Sequence, residues 1–218
     1  MFMYKQIIAA LALALTVPVS WADDKAHYEV TITNLTRGTL FTPFVVATHR
    51  QGLQLFTAGK PASPELSQLA ESGETAPLVA VLRADKRVRD VRTTNGRLDP
   101  GQTVTINVDT ANHFDRVSLA AMMVPTNDGF VPLNGVPGPR GNYPVVYTIA
   151  GHDAGSEPND ELCVNIPGPT CGGTGNSPEA GGEDYVHIHA GIHGIGDLAA
   201  DEYDWRNPVA VVRIRRVE

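Results

Sequence analysis

The sequence predicts an all-β fold, an antiparallel β-sandwich of about eight strands with one or two short inserted helices. Apolar and polar residues alternate over several short runs, as they do in half-buried strands. The chain has 21 glycines and 16 prolines among 218 residues, which suits a sandwich with long loops better than a helical bundle. Strands and helices do not alternate as they would in a parallel α/β fold.

The predicted strands follow one another along the chain and are separated by turns. The run at residues 103–108 alternates cleanly and indicates a strand with one buried face. The run at residues 116–124 is almost continuously apolar, which is typical of a central strand buried on both faces. The predicted strands are residues 28–33, 44–48, 103–108, 116–124, 143–149, 184–189 and 208–215.

One short helix is predicted between the second and third strands. Ser63, Pro64 and Glu65 are typical of an N-cap, a first helical residue and an acidic first turn, and Gly73 is typical of a helix end. We therefore expect a helix over residues 64–72. The pattern at residues 77–84 fits either a second helical turn or a strand, and the charged residues 83–92 indicate an exposed connection.

The first 22 residues predict a secretory signal peptide. Lys5 precedes an apolar run, and Ser20 and Ala22 place small side chains at positions −3 and −1 of a cleavage site. A membrane anchor is the alternative, but the apolar run is short for a bilayer span of about 20 residues. We therefore expect a mature domain over residues 23–218, periplasmic or secreted, and not transmembrane after cleavage.

The two cysteines and the net charge further restrict the class of protein and the kind of partner that the sequence allows. Cys163 and Cys171 lie close together in a loop rich in glycine and proline, and in an oxidising compartment we expect a disulfide between them. Closing so small a loop contributes ~2–3 kcal/mol. Two free thiols are the alternative, although the Cys-x-x-Cys spacing of a redox catalyst is absent. The formal net charge of −7 argues against a nucleic-acid partner.

Two acidic turns are the strongest candidates for a functional site. The loop at residues 151–161 follows one apolar strand, and the turn at residues 127–129 follows the preceding one. Calcium takes six to eight oxygen ligands, and Asp128, Asp153 and Glu157 supply three carboxylates if the two turns meet at one end of the sandwich. A solvated acidic loop is the alternative, and the loop does not fit the EF-hand pattern. Reserve oxygen donors are Asn127, Asn159 and Asp160.

A second candidate metal site lies near the last strand. His187 and His189 point to the same face if they lie on a strand, and His193 can return from the following turn. Three imidazoles suit zinc or copper. The alternative is a polar edge on which these histidines form hydrogen bonds to carboxylates or carbonyls.

Enzyme motifs are lacking, so we expect a protein that is not an enzyme. The sequence has no H-E-x-x-H, Walker or G-x-S-x-G motif. The segment at residues 151–155 places Asp153 at the serine position of a nucleophile elbow, but an elbow requires a parallel α/β sheet.

Four stretches, in order along the chain, resemble the spondin N-terminal domain family, and more closely the bacterial secreted proteins described as spondin-domain-containing. They are VTITNLT (30–36), LAAMMVPTNDGF (119–130), HDAGSE (152–157) and DWRNPV (204–209). The resemblance implies an eight-stranded β-sandwich like those of calcium-dependent lipid-binding domains. It also implies a calcium ion held by three acids, which match Asp128, Asp153 and Glu157. This chain differs from the family pattern at Gly129, where the family has tryptophan, and at Glu157, where it has aspartate.

Together these features predict a secreted or periplasmic calcium-binding module for adhesion or recognition. Its partner would be a protein, a glycan or a lipid headgroup at a surface. One alternative is a zinc- or copper-binding protein or metalloenzyme that uses the three histidines. Another is a structural envelope protein whose acidic loop is only solvated.

Overall fold

Eleven strands and three short helices make up residues 26–176 and 181–217, the part of the chain that this computed structural model describes. The predicted signal peptide, residues 1–22, lies outside the described residues. The strands are β1 (His27–Asn34), β2 (Leu40–Phe41), β3 (Val45–His49), β4 (Val88–Thr93), β5 (Thr103–Asp109), β6 (Arg116–Val124), β7 (Gly129–Pro137), β8 (Val145–Ile149), β9 (His152–Asp153), β10 (His187–Ile188) and β11 (Ala210–Val217). The helices are α1 (Pro64–Ser72), α2 (Ala76–Ala84) and α3 (Ala200–Tyr203).

The strands form two antiparallel sheets, which confirms the predicted all-β sandwich. One sheet has four strands in the order β5-β1-β11-β8. The other has seven, in the order β10-β9-β7-β6-β3-β4, with β2 paired to β6. Each strand pair among the described residues is antiparallel.

The main core lies between the two sheets, and β6 runs through its centre. Leu119, Ala121 and Met123 of β6 pack in this core with Val30 and Ile32 of β1. Ala120, which points to the opposite face of β6, packs in a second core instead. The strand is therefore buried on both faces, as its continuous apolar run predicts.

The second core lies between the seven-stranded sheet and the helices α1 and α2. Leu66 and Leu69 of α1 and Leu78 of α2 are buried there. The helix α1 has the predicted bounds, because the Ser63 side chain accepts a hydrogen bond from the Leu66 amide and Gly73 ends the helix in a left-handed conformation. The ambiguous segment at residues 77–84 is a helix, α2.

The sequence analysis does not predict four of the strands, the two-residue strands β2 and β9 and the longer strands β4 and β7. The charged residues 88–92, expected in an exposed connection, belong to β4, which pairs with β3 at the end of its sheet. An edge strand carries charged side chains readily because one face and one edge stay open to water. The segment 129–137 forms β7, although it contains Pro132 and Pro137.

The strand β7 brings the two acidic turns to one end of the sandwich. β6 ends next to the turn that holds Asp128, β7 runs back to the opposite end, and β8 returns in the other sheet toward residue 151. The strand β9 then pairs with β7, and Gly129 lies opposite Asp153. Asp128 and Asp153 therefore lie side by side.

His49, the last residue of β3, is a neutral histidine whose two ring nitrogens both form hydrogen bonds. It is fully buried. Its Nδ1 lies 2.8 Å from the Arg50 carbonyl oxygen, which can only accept, so Nδ1 carries the proton. Nε2, 2.8 Å away from Ser118 Oγ, therefore accepts from the hydroxyl, which in turn accepts from the Gly135 amide. Burial lowers the pKa of His49 below its ordinary value of 6.5.

We expect His49 to make the fold less stable in mild acid. Its folded-state pKa lies below that of the unfolded chain, so the unfolded chain takes up the proton first as the pH falls. The contribution of the neutral His49 to the free energy of unfolding is therefore present above about pH 6.5. It falls below that pH, by up to about 1.4 kcal/mol per pH unit. Urea unfolding between pH 7.5 and 5 should show a flatter profile for His49→Gln than for the wild type. A profile parallel to that of the wild type, or the same flattening in the control His27→Gln, would contradict this role.

Candidate metal centre

Asp128 and Asp153 are buried carboxylates that lie next to each other, and the basic side chains beside Asp153 are the histidines His187 and His189. Neither side chain is accessible to solvent. Burial, and then the charge of Asp153, raise the pKa of Asp128 to about 7. Burial also raises the pKa of Asp153. Such a pair is unfavourable when both members are charged, and a bound cation removes the cost.

The loop that follows β9 wraps around Asp128. The amides of Ser156 and Glu157 donate to Asp128 Oδ2 over 2.7 and 3.0 Å, and the Ala154 amide donates to the Asp128 carbonyl. Asp128 Oδ1, in contrast, is buried and has no hydrogen-bond partner among residues 26–176 and 181–217. One oxygen of this carboxylate is therefore held in place while the other is left for a ligand.

Gly155 allows the loop to make this turn. It has a φ of +69°, and a β-carbon there would lie 2.4 Å from the carbonyl oxygen of Tyr185. The Gly155 amide donates to Asp153 Oδ1, and its carbonyl accepts from the Asp184 amide. The backbone on either side of residue 184 is thereby drawn against the acidic loop.

This contact brings in a residue that the sequence analysis missed, Glu183. One ligand atom each from Asp153, Glu183 and His187 lie within 4.8 Å of one another, a mixed carboxylate and imidazole cluster that can hold a metal ion. Asn159, a predicted reserve donor, bridges part of the cluster, because its side-chain nitrogen donates to Asp153 Oδ2 and lies 3.5 Å from Glu183 Oε1. The signal for Glu183 was only its place in an acidic stretch just before a predicted strand.

The third predicted calcium ligand, Glu157, is also buried in this loop. Its side chain is 1% exposed, and its amide contacts Asp128 directly. The predicted trio of Asp128, Asp153 and Glu157 is therefore gathered in one buried region at one end of the sandwich. Of the three, only Asp153 also belongs to the tighter cluster with Glu183 and His187.

The reserve donors Asn127 and Asp160 bind each other. The Asn127 side-chain nitrogen donates to Asp160 Oδ1 over 2.9 Å, and Asn127 Oδ1 accepts from the Glu161 amide. Asp160 also accepts from the Leu162 amide and from the side chain of Asn165. These contacts join the two acidic turns and so hold Asp128 and the loop of Asp153 in place.

The three histidines take different roles. His187 lies beside Asp153, with Nδ1 3.8 Å from Asp153 Oδ1. His189 is buried against Trp205, and its Nδ1 accepts from the Gly191 amide, so Nε2 carries the proton of the neutral ring. Burial lowers the pKa of His189 to about 4. His193 is exposed and lies beside Glu161.

His189 Nε2 is the second orphaned atom at this site. It has no hydrogen-bond partner in the described part of the chain, and it lies 4.0 Å from Asp153 Oδ2. The ring also accounts for Gly129. A β-carbon at position 129 would lie 3.0 Å from the His189 ring and 2.6 Å from Thr126 Oγ1, so the tryptophan of the family pattern does not fit here.

Glu161 closes the far side of the acidic loop. It is buried, and its carboxylate accepts hydrogen bonds from the amides of His193, Gly194 and Ile195 over 2.6–3.0 Å. This acid is satisfied by the backbone and has a structural role. Asp128 differs from Glu161, because one oxygen of its buried carboxylate has no hydrogen-bond partner in the described part of the chain.

A disulfide closes the segment that follows the acidic loop. Cys163 and Cys171 are bonded at 2.04 Å, which confirms the predicted bridge.

In residues 26–176 and 181–217, no helix is both long enough and apolar enough to span a bilayer.

A β-sandwich with a disulfide in one of its loops belongs to the secreted, extracellular class of domain. The family model described as Spondin_N matches residues 14–137, more than half of the chain, and the chain belongs to this family. The match contains Asp128 and ends before the loop that holds Asp153. No curated protein matches the chain.

Proposed function

We propose that this secreted domain is a calcium-binding recognition module without enzymatic activity. Asp128, Asp153 and Glu157 would hold the ion. The observation that carries the proposal is the Asp128 carboxylate, which is fully buried beside Asp153 and has one oxygen without a partner among the described residues. Family membership supports the secreted, extracellular type of domain.

The donors favour a hard cation. The predicted ligands are carboxylates, and calcium accepts six to eight oxygens from carboxylates, backbone carbonyls and water. A divalent ion would cancel the repulsion between two buried acids whose pKa values are both raised. An ion that binds only the folded state stabilises it by ~2.7 kcal/mol at a concentration of 100 Kd.

The recognition role is supported by exposed apolar side chains beside the site. Tyr185 and Ile188 flank His187 and are 44% and 50% exposed. The calcium-ordered loops would present these groups to a protein, glycan or lipid-headgroup surface. Exposed apolar patches with a polar rim are typical of surfaces that bind a partner.

Thermal unfolding of chelator-treated protein in calcium, magnesium, zinc and copper tests the proposal. The protein should be purified without a histidine tag. We expect a rise in melting temperature in calcium that saturates and is reversed by chelator. A melting temperature indifferent to calcium would contradict the proposal.

A second candidate function is transition-metal binding, which the cluster of Asp153, Glu183 and His187 favours. An imidazole with two carboxylates suits zinc. The protonated His189 Nε2, 4.0 Å from Asp153 Oδ2, would support that carboxylate from outside the ligand set. This ligand set differs from the predicted set of three histidines, because His189 is turned to Gly191 and His193 to Glu161.

The variant Glu183→Gln/His187→Gln separates the two candidates. If zinc binds at this cluster, the variant should lose at least about tenfold in zinc affinity, since two of three ligands are removed. The calcium response should persist, because Asp128, Asp153 and Glu157 are unchanged. The matched control is Glu74→Gln/His27→Gln. Unchanged zinc affinity in the cluster variant would rule out the second candidate.

A further inference from the structure

A basic cleft lies at the opposite end of the sandwich from the metal centre. It has a volume of about 640 Å³. Arg116 at the start of β6 lines it, whereas Asp128 follows the end of the same nine-residue strand. The cleft is also lined by Tyr28 of β1, Arg50 after β3, Arg140 after β7 and Arg216 of β11, with Asp115 beside Arg116.

The cleft gathers positive charge on an acidic protein. Four arginines line it against one aspartate, so three positive charges are in excess, while the whole chain has a net charge of −7. Like charges on one surface repel each other. The chain has more acidic than basic residues, so carboxylates that could pair with these arginines are plentiful elsewhere in the sequence. The convergence of the arginines on one concave surface favours an anionic ligand.

Asp115 does not neutralise the cluster. It lies 3.6 Å from Arg116 Nε and 3.2 Å from the Arg140 guanidinium. Arg116 Nε is nevertheless buried without a hydrogen-bond partner among the described residues. Within the same residues, Arg50 and Arg216 form no ion pair, and the Arg50 guanidinium is held 4.7 Å above the Phe114 ring. At least three guanidinium groups therefore keep donors available for a ligand.

The cleft is built on a rigid base. Tyr28 is 1% exposed and forms its floor. The chain after β7 crosses directly over this ring at Gly138, where a β-carbon would lie 2.4 Å from the ring, and the Gly138 amide donates to the Asp115 carbonyl. The close crossing places Arg140 at the cleft. A larger side chain at position 138 would displace this wall.

We propose that this cleft binds a small hydrophilic molecule that carries two or more phosphate or sulfate groups. Guanidinium groups bind such oxyanions through paired hydrogen bonds, and several groups on different strands match several anionic groups on one ligand. The volume is that of a small-molecule site. Gln51 and Asn112 also line it and offer amides to ligand hydroxyls. The site is independent of the metal centre.

Calorimetric titration with pyrophosphate and with a disulfated heparin disaccharide, both without added divalent cations, tests this proposal. We expect the wild type to bind at least one probe with a Kd below about 1 mM, and the preferred probe identifies phosphate or sulfate as the natural group. Arg50→Gln/Arg140→Gln should weaken binding at least about 30-fold, because it removes two charge-assisted contacts. Arg216→Gln provides a second variant if that protein does not fold.

The matched control is Arg37→Gln/Arg97→Gln, which removes two exposed arginines far from the cleft. Its affinity for the preferred probe should stay within about twofold of the wild type, since only screened long-range charge is lost. Absence of binding by both probes would overturn the proposal. Equal weakening in the control and the cleft variant would overturn it too, because attraction would then depend on net charge alone.

Discussion

Replacing Asp128 by asparagine should make the calcium-free protein more stable at pH 8, while Asp128→Asn/Asp153→Asn should lose the calcium response. Asp128 is buried beside Asp153, and its pKa is raised to about 7, so at pH 8 the folded state holds an unfavourable charge. Asparagine keeps an oxygen to accept from the Ser156 and Glu157 amides. Calcium should raise the wild-type melting temperature by about 5–10 °C at 100 Kd.

The matched control for this double variant is Asp99→Asn/Asp201→Asn. It removes the same charge from exposed positions and should retain the full calcium shift. Circular dichroism melts in chelator and in calcium measure both effects. A double variant that still shows the wild-type calcium shift would place the ion elsewhere.

Replacing Glu161 by alanine should cost about 3 kcal/mol of unfolding free energy. The buried carboxylate accepts three backbone hydrogen bonds from residues 193–195, and alanine leaves these amides without a charged acceptor. Glu161→Gln should cost less, because one side-chain oxygen remains to accept. Urea unfolding in chelator measures the difference, with the exposed Glu74→Ala as control.

The calcium response distinguishes a structural from a ligand role for Glu161. If its three backbone contacts define its role, Glu161→Ala is less stable but gains the usual stability increment when calcium is added. A loss of that increment together with a small effect on stability in chelator would instead make Glu161 a ligand.

Elements with strong local signals were predictable from the sequence. The helix α1 has its cap, its first-turn proline and its terminal glycine within the segment itself, so its bounds follow from residues 63–73. The strand β6 is predicted by its continuous apolar run. The strand β7 is not, because its prolines and glycine suggest a loop, and only pairing with β6 makes it a strand.

The candidate site was predictable only in part. Asp128 and Asp153 could be named because each follows an apolar strand, and a sandwich collects such turns at its ends. Glu183 is brought to Asp153 by the tight contact of Gly155 with Tyr185, which has no local signal. The hydrogen bond from Asn127 to Asp160 also depends on the folded loops, so the spacing that indicated both as possible extra ligands could not indicate their contact with each other.

The basic cleft shows the same limit at the other end of the molecule. Its arginines come from segments near residues 50, 116, 140 and 216, and nothing in the sequence of any one segment distinguishes its arginine. Only the sheet topology brings them together. The net charge of −7 correctly describes the whole chain, but it conceals this local excess of positive charge.

A crystal structure of the protein grown in calcium, with anomalous diffraction data, tests the central claim most directly. We expect an anomalous peak for a calcium ion near Asp128. The ion should lie 2.3–2.6 Å from Asp128 Oδ1 and from an Asp153 carboxylate oxygen, the distances typical of calcium. An ion bound only at the Glu183 and His187 side of Asp153 would favour the transition-metal function. No ion beside Asp128 in crystals that contain calcium would contradict the proposed centre.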